Sequence, residues 1–221
     1  MSKKQFAVIG LGRFGSSVAR FLSGMKYEVL AIDNNPERVQ SLAQIVTQAV
    51  TADSTDEETL RALGLRNFDV VVVAIGSDIQ ASILTTLILK ELGVPRLVAK
   101  AQNDLHGKVL ARIGADRVIY PERDMGLRVA HQLISPNILE HIELSPEYGI
   151  VEMEAAPGMI GKNLRELGIR AEFGCSVLAI KTDSRMNISP GAEDVIRKGD
   201  VLVIVGRNSD LNRLEKSYGE S

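Results

Sequence analysis

Phe6-Ala-Val-Ile-Gly-Leu-Gly-Arg-Phe-Gly15 is the stretch on which the fold turns. A short apolar run, Phe6–Ile9, stops at a glycine. Glycines at 10, 12 and 15 then lead into Ser16–Met25, where Val18, Phe21 and Leu22 recur at helical spacing. A strand, a GxGxxG loop and a helix in that order open a βαβ unit suited to a nucleotide. The first glycine permits a tight turn, the second lets a phosphate approach the main chain, and the third lets helix and strand pack closely. The helix start offers unpaired N–H groups and a positive dipole end to an anion.

The same alternation runs on to about residue 120. Glu28–Ile32, Thr47–Thr51, Val70–Ile75, Leu97–Ala101 and Arg117–Tyr120 read as strands. Helical patterns fall between them: Pro36–Gln44, with proline in its first turn, then Leu60–Leu63 after the capping-box pattern Ser54-Thr-Asp-Glu57, then Ile79–Leu92 and Leu105–Ile113. Val70–Ile75 is apolar on both faces, as a central parallel strand must be. The expectation is an α/β, Rossmann-like parallel sheet. Glu122–Ile138 reads as one long helical pattern, interrupted near Ser135-Pro136, that crosses to a neighbouring subunit or leads to a second unit.

Beyond it the grammar changes. Glu143–Glu154 is strand-like around a turn at Pro146–Gly149, Lys162–Leu167 is a short helix, and Ser176–Thr182, Met186–Ser189 and Val201–Val205 are strands. Asn208–Tyr218 closes with a helix. These predict a second, smaller α+β domain that would profit from dimerisation, with domains at 1–136 and 137–221.

Composition narrows the function. A hydrophobic fraction of 45% over 221 residues supports a real core. A net charge of −2, aromatics at 4% and no tryptophan argue against a nucleic-acid partner. The opening Met1–Phe6 has too short an apolar run for a signal peptide, and no segment reaches the ~18 apolar residues of a spanning helix. Cys175, the single cysteine, lies in an apolar stretch and reads as a buried structural thiol in a reducing, cytoplasmic setting. His106, His131 and His141 belong to no catalytic motif, there is no Cys/His metal cluster and no Walker A loop, so the chain is not expected to be an enzyme.

Several residues frame the nucleotide site. Asp33 ends the second strand, where an acid accepts ribose hydroxyls and repels a 2′-phosphate; a turn aspartate before Asn34-Asn35-Pro36 is the structural alternative. Asp53 can read a base edge or simply cap a helix. Arg13 sits inside the glycine loop, where a guanidinium adds bidentate phosphate binding and suits a ligand with extra terminal phosphate, such as ADP or ATP; a solvated surface arginine is the alternative. Lys100 ends strand five, facing the crevice or solvent. Glu122 starts a helix, where the dipole favours it; beside a triphosphate it calls for Mg²⁺ or Ca²⁺ between the charges. Phe14, Asn34, Ser54, Ala74, Ile75 and Gly76 complete the candidate set. Asp33 and the glycines fit NAD(H) equally, which keeps an NAD-dependent oxidoreductase or an NAD-sensing module as the alternative.

Beyond the glycine loop, Asn67-Phe-Asp, Val72-Val-Ala-Ile-Gly76, Ile79-Gln-Ala-Ser82, Leu84-Thr-Thr, Val98-Ala-Lys-Ala-Gln-Asn103, Ile113-Gly-Ala-Asp116 and Pro121-Glu-Arg-Asp-Met125 carry a resemblance, continued by Ile169-Arg-Ala, Ala179-Ile-Lys181, Ser189-Pro190 and Val201–Gly206. Across nearly the whole chain the sequence resembles the RCK-domain (KTN) regulatory subunits of bacterial Ktr/Trk potassium-uptake systems. The resemblance implies a non-catalytic regulator, cytoplasmic and peripheral to the inner face of the cell membrane through its partner. It implies homodimers assembling into an octameric ring under a membrane-embedded potassium-transporting subunit, with ATP and ADP biasing the ring between two shapes. Gly10, Gly12, Arg13 and Gly15 would then hold phosphates, Asp33 the ribose and Asp53 the base. Ala74, Ile75 and Lys100 would line the site, and Glu122 would help hold the divalent cation. The second domain resembles one that takes cyclic di-AMP, with Arg170, Ser176, Val177 and Pro190 at the matching positions. The best binders carry an asparagine where Ser176 stands, so the side chain here is shorter and the expected affinity lower.

Overall fold

The computed structural model describes residues 4–134, 138–183 and 185–219. The chain divides into two compact units, Met1–Arg123 and Asp124–Ser221. The division falls inside a helix, upstream of the expected 136/137 junction, and Ser135-Pro136 lie outside the described residues.

The first unit holds β1 (Gln5–Ile9), α1 (Arg13–Gly24), β2 (Glu28–Asp33), α2 (Pro36–Gln40), β3 (Gln48–Thr51), α3 (Glu57–Ala62), β4 (Val70–Val73), α4 (Ile79–Glu91), β5 (Leu97–Lys100), α5 (Asp104–Arg112) and β6 (Arg117–Ile119). Its strands form one six-stranded parallel sheet in the order β3-β2-β1-β4-β5-β6. Period-2 side-chain alternation splits the core. Ala7, Ile9, Val71 and Val73 enter one cluster with Leu60, Leu89 and Leu110. Val8 and Val72 enter the other with Leu11, Ala19 and Leu42. Both faces are therefore covered by helices, as a parallel sheet requires. The order reverses between β1 and β4, and that switch point is where an open α/β sheet takes its ligand, outside the carboxyl ends of the strands.

The second unit begins in α6 (Pro121–Ile134) and continues through β7 (Ile138–Glu143), β8 (Tyr148–Glu154), α7 (Leu164–Leu167), α8 (Ile169–Phe173), β9 (Ser176–Lys181), β10 (Met186–Asn187), β11 (Val201–Arg207) and α9 (Asn208–Gly219). Its five strands pair antiparallel in the order β10-β9-β11-β8-β7. Alternate residues of β8 and β11, among them Val151, Met153, Leu202 and Ile204, meet Met159, Leu167, Phe173 and Leu214 in one core. The expected Rossmann-like parallel sheet and smaller α+β domain are both present.

Local differences have local causes. Ser54 is not a helix cap: its hydroxyl bonds Thr85, and Asp56 caps α3 by accepting from the Glu58 N–H at 3.2 Å. A true capping box lies at Asn163 and Glu166, which bond each other's main-chain N–H at 2.8 and 2.9 Å. Helix α2 stops at Gln40 instead of Gln44, giving way to turns. Ile138 opens a strand instead of ending a helix, and Glu143–Glu154 is the inner part of the hairpin that β7 and β8 form.

Candidate functional site

The polypeptide leaves β1 at Gly10, whose φ of +90° is left-handed and whose N–H donates to the Ile32 carbonyl at 2.8 Å. A side chain at Gly10 would strike the Ile75 nitrogen at 2.8 Å, and one at Gly15 would land on the Gly10 carbonyl. The loop, the start of α1 and the end of β4 are thus pressed together, as the first and third glycines predict. Gly12 has open space before it and stands at the helix N-cap without a capping side chain. Helices α2, α3, α4 and α5 are capped by Asn35, Asp56, Asp78 and Asn103. The amides at the start of α1 are left for another acceptor.

That start faces a cleft of about 790 Å³. It brings together Gly10, Gly12, Arg13, Phe14, Asp33, Asn34, Asp53, Ser54, Ala74, Ile75, Gly76, Lys100 and Glu122; Gly15 packs beneath the loop instead of lining it. Sequence reasoning missed Arg38 and Asp78, which also line it. Each lies about five positions beyond a strand end, Arg38 inside α2 and Asp78 at the cap of α4, so nothing local tied either to the cleft.

Asp33 is buried and heavily committed. Its Oδ2 accepts the Leu11 N–H at 2.6 Å, its Oδ1 accepts the Asn35 N–H at 2.8 Å, and the Arg38 guanidinium lies 3.6 Å away. The carboxylate therefore fixes the glycine loop in addition to facing the cleft. Part of its charge is balanced within the protein by Arg38. Asp53 is exposed and accepts the Thr55 N–H at 2.8 Å and its hydroxyl at 2.7 Å, both on Oδ1. The main-chain bond, then the hydroxyl bond, hold this carboxyl below its ordinary range.

Lys100 and Glu122 close the opposite side. Lys100 is buried, and its Nζ donates to Glu122 Oε1 at 2.5 Å and lies 6.0 Å from the centre of the Phe14 ring. The absence of a side chain at Gly76 gives the ammonium its room: a Cβ there would sit 3.0 Å from Nζ. The Lys100 hydrogen bond, outweighing partial burial and aided by the charge of Arg13, lowers the Glu122 carboxyl from its ordinary value. Among the described residues no group of three metal-ligating side chains comes together, so an ion at Glu122 would take most of its ligands from phosphate and water, as Mg²⁺ commonly does.

In the second unit Arg170 is exposed on α8, Ser176 and Val177 are half-buried at the start of β9, and Pro190 follows β10. Cys175 is fully buried, its Sγ directed to the Phe173 carbonyl at 3.6 Å, and burial raises its thiol. His106 is buried in α5, and the His131 side chain lies outside the described residues. Among the described residues no helix is long and apolar enough to cross a membrane.

The descriptions TrkA-N domain and TrkA-C domain match residues 6–121 and 150–219. The chain is 52% identical over 214 residues to Ktr system potassium uptake protein C of Bacillus subtilis (strain 168), covering 97% of each chain. It is 41% identical over 214 residues to Ktr system potassium uptake protein A of Vibrio alginolyticus, again covering 97% of each. Among solved structures it is similar to the GsuK RCK domain, with a TM-score of 0.68 and 21% identity. That likeness covers all of this chain and 48% of the other, so the chain spans about half of it, and it concerns the fold alone.

Proposed function

The chain belongs to the TrkA-N/TrkA-C (RCK) family of potassium-uptake proteins, and on that premise we propose that it is a non-catalytic regulatory subunit whose first unit binds ATP and ADP. The observation that carries this reading is the company kept at the phosphate end of the cleft: uncapped helix amides, Arg13, and a buried Lys100 already bonded to an acid. Phosphates of the nucleotide lie against the loop of Gly10, Gly12 and Gly15, on the uncapped amides at the start of α1 and on Arg13. The ribose meets Asp33 and Asn34, the base meets Asp53 and Ser54, and Phe14, Ala74, Ile75 and Gly76 form the walls. Mg²⁺ or Ca²⁺ between Glu122 and the terminal phosphates removes the repulsion that the carboxylate would otherwise exert.

Regulation follows from differential binding, because two nucleotides shift an assembly only by their difference in affinity for its states. A homodimer is supported by the apolar stripe of α6, where Met125, Val129 and Leu133 recur every four residues and are all exposed. Such dimers build an octameric ring beneath a separate potassium-transporting membrane subunit, which places the protein at the cytoplasmic face of the membrane. Cyclic di-AMP is the second ligand, held at Arg170, Ser176, Val177 and Pro190.

Calorimetry on the intact protein and its Arg13→Ala variant tests the nucleotide reading. Losing a charge-assisted phosphate contact should weaken ATP by about 10- to 100-fold and ADP far less. Equal losses for both, or tighter binding of NAD⁺ or NADH than of either, would overturn it; the last result would favour an NAD-sensing module.

A further inference from the structure

Helix α4 hides a polar face. Ser82, Thr85 and Thr86 are all fully buried on its inner side, where leucine or valine would normally sit. The Thr86 hydroxyl is satisfied within the helix, donating to the Ser82 carbonyl at 2.7 Å. Thr85 does something different. Its Oγ1 leaves the helix and meets Ser54 twice: it donates to the Ser54 carbonyl at 3.1 Å and lies 2.9 Å from the Ser54 hydroxyl oxygen. A hydroxyl has one proton. The arrangement that satisfies both contacts puts the Thr85 proton on the Ser54 carbonyl and leaves Ser54 to donate the bond between the two hydroxyls. The Ser54 hydroxyl is therefore spent as a donor and retains only lone pairs for anything in the cleft that Ser54 lines.

The neighbouring side chain has the same polarity. Asp53 is held as a carboxylate by the Thr55 amide and hydroxyl, and a carboxylate can only accept. The two side chains that this loop offers to a ligand are thus acceptors alone. A purine that presents an amino group to them is received, while one that presents a carbonyl oxygen brings lone pairs against lone pairs.

We propose that Thr85, a positioning residue that lies wholly in the interior, sets base selectivity by fixing the direction of the Ser54 hydroxyl, so that the site takes 6-aminopurine nucleotides and rejects 6-oxopurine ones. This rests on the adenine-nucleotide reading above, with the base at Asp53 and Ser54.

The test is calorimetry on the intact protein with ATP, inosine 5′-triphosphate and inorganic tripolyphosphate, for the wild type, Thr85→Val and Thr85→Ser. The wild type should prefer ATP to the inosine nucleotide by about tenfold or more. Thr85→Val releases the Ser54 proton and should bring that ratio to within about threefold, Thr85→Ser should restore it, and tripolyphosphate affinity should stay the same throughout. A merely structural role for Thr85 would move all three ligands together. Ser54→Ala, which deletes the acceptor itself, should narrow the ratio in the same way and decides the matter if Thr85→Val does not fold. Equal wild-type affinity for the two nucleotides, or an undiminished preference in folded Thr85→Val or, where that variant does not fold, in Ser54→Ala, overturns the selectivity argument and leaves adenine-nucleotide binding standing. Failure of the wild type to bind any adenine nucleotide removes the functional reading and this inference with it.

Discussion

The two units differ in how they gather their buried charges. In the parallel unit both faces of the sheet are covered, so interior charge gathers where strands end, and Asp33 and Lys100 are buried there. In the antiparallel unit β8 and β11 alternate between the core and a half-buried face, and among the described residues Asp200, directly before β11, is the one buried carboxylate, taken up by the Arg197 N–H at 2.8 Å. Arg165–Glu193, at 2.8 Å, joins two exposed side chains and contributes little to stability. The cavity at Asp124, Arg128 and Glu140 is about 330 Å³, less than half the size of the nucleotide cleft. Sheet type, more than composition, decides where this chain can collect unlike charges around a ligand.

The sharpest way to break that contrast is at Gly15. An alanine there drives its Cβ into the Gly10 carbonyl, main chain against main chain, so the cost should reach or exceed the ~3 kcal/mol upper range of ordinary overpacking. Hydrogen exchange resolved by segment should show lost protection in the first unit and little change in the second. Equal loss in both would mean that the units are not energetically separate.

A smaller effect belongs to the second unit alone. In Gly206→Ala the new methyl would lie 2.6 Å from Cys175 Sγ, which should cost ~1–3 kcal/mol in denaturant unfolding. Adding Cys175→Ala should recover most of it, and a penalty indifferent to the second change would show that the contact is not its source. Next in size, Asn163→Ala removes one arm of the capping box and should cost about 1 kcal/mol, with ATP affinity unaltered.

The smallest effect is a slope. His106 is buried in α5, its Nε2 has no hydrogen-bond partner among the described residues, and burial lowers its pKa from the ordinary 6.5. Below pH 6.5 the unfolded chain takes up a proton that the folded chain refuses, so stability falls with pH from there down to the depressed folded value. His106→Gln should flatten the acid side of the stability profile in that window. A profile of unchanged steepness would assign the acid sensitivity to other groups.

Much of the first unit was legible because its signals are local. Three glycines, a strand before them and a helix after them each constrain the same few residues, and Asp33 and Lys100 lie at strand ends that short continuous apolar runs reveal. Arg38 was not legible, since its role depends on reaching back 3.6 Å to Asp33. The Ser54–Thr85 bond was hidden for the same reason: the partners are 31 positions apart, and Ser54 with Glu57 imitates a capping box that Asp56 forestalls. In the second unit the shortest elements show no period. Helix α8 has five residues, bounded by left-handed Gly168 and Gly174, and only those glycines marked it. Ile138 continued the apolar rhythm of α6 and so resembled a helix residue, although its burial comes from the sheet.

The Lys100–Glu122 pair carries a consequence for the protein without nucleotide. An ammonium this deeply enclosed would be costly if nothing neutralised it, and Glu122, whose side chain is 69% exposed, supplies the counter-charge from the rim. The charge of Lys100 is thereby balanced within the protein, and on the nucleotide reading proposed above binding would exchange one partner of Lys100 for another. An incoming anion would gain only the difference between itself and a resident carboxylate, so singly charged ions would have little hold on this lysine and ligands of high charge would be favoured.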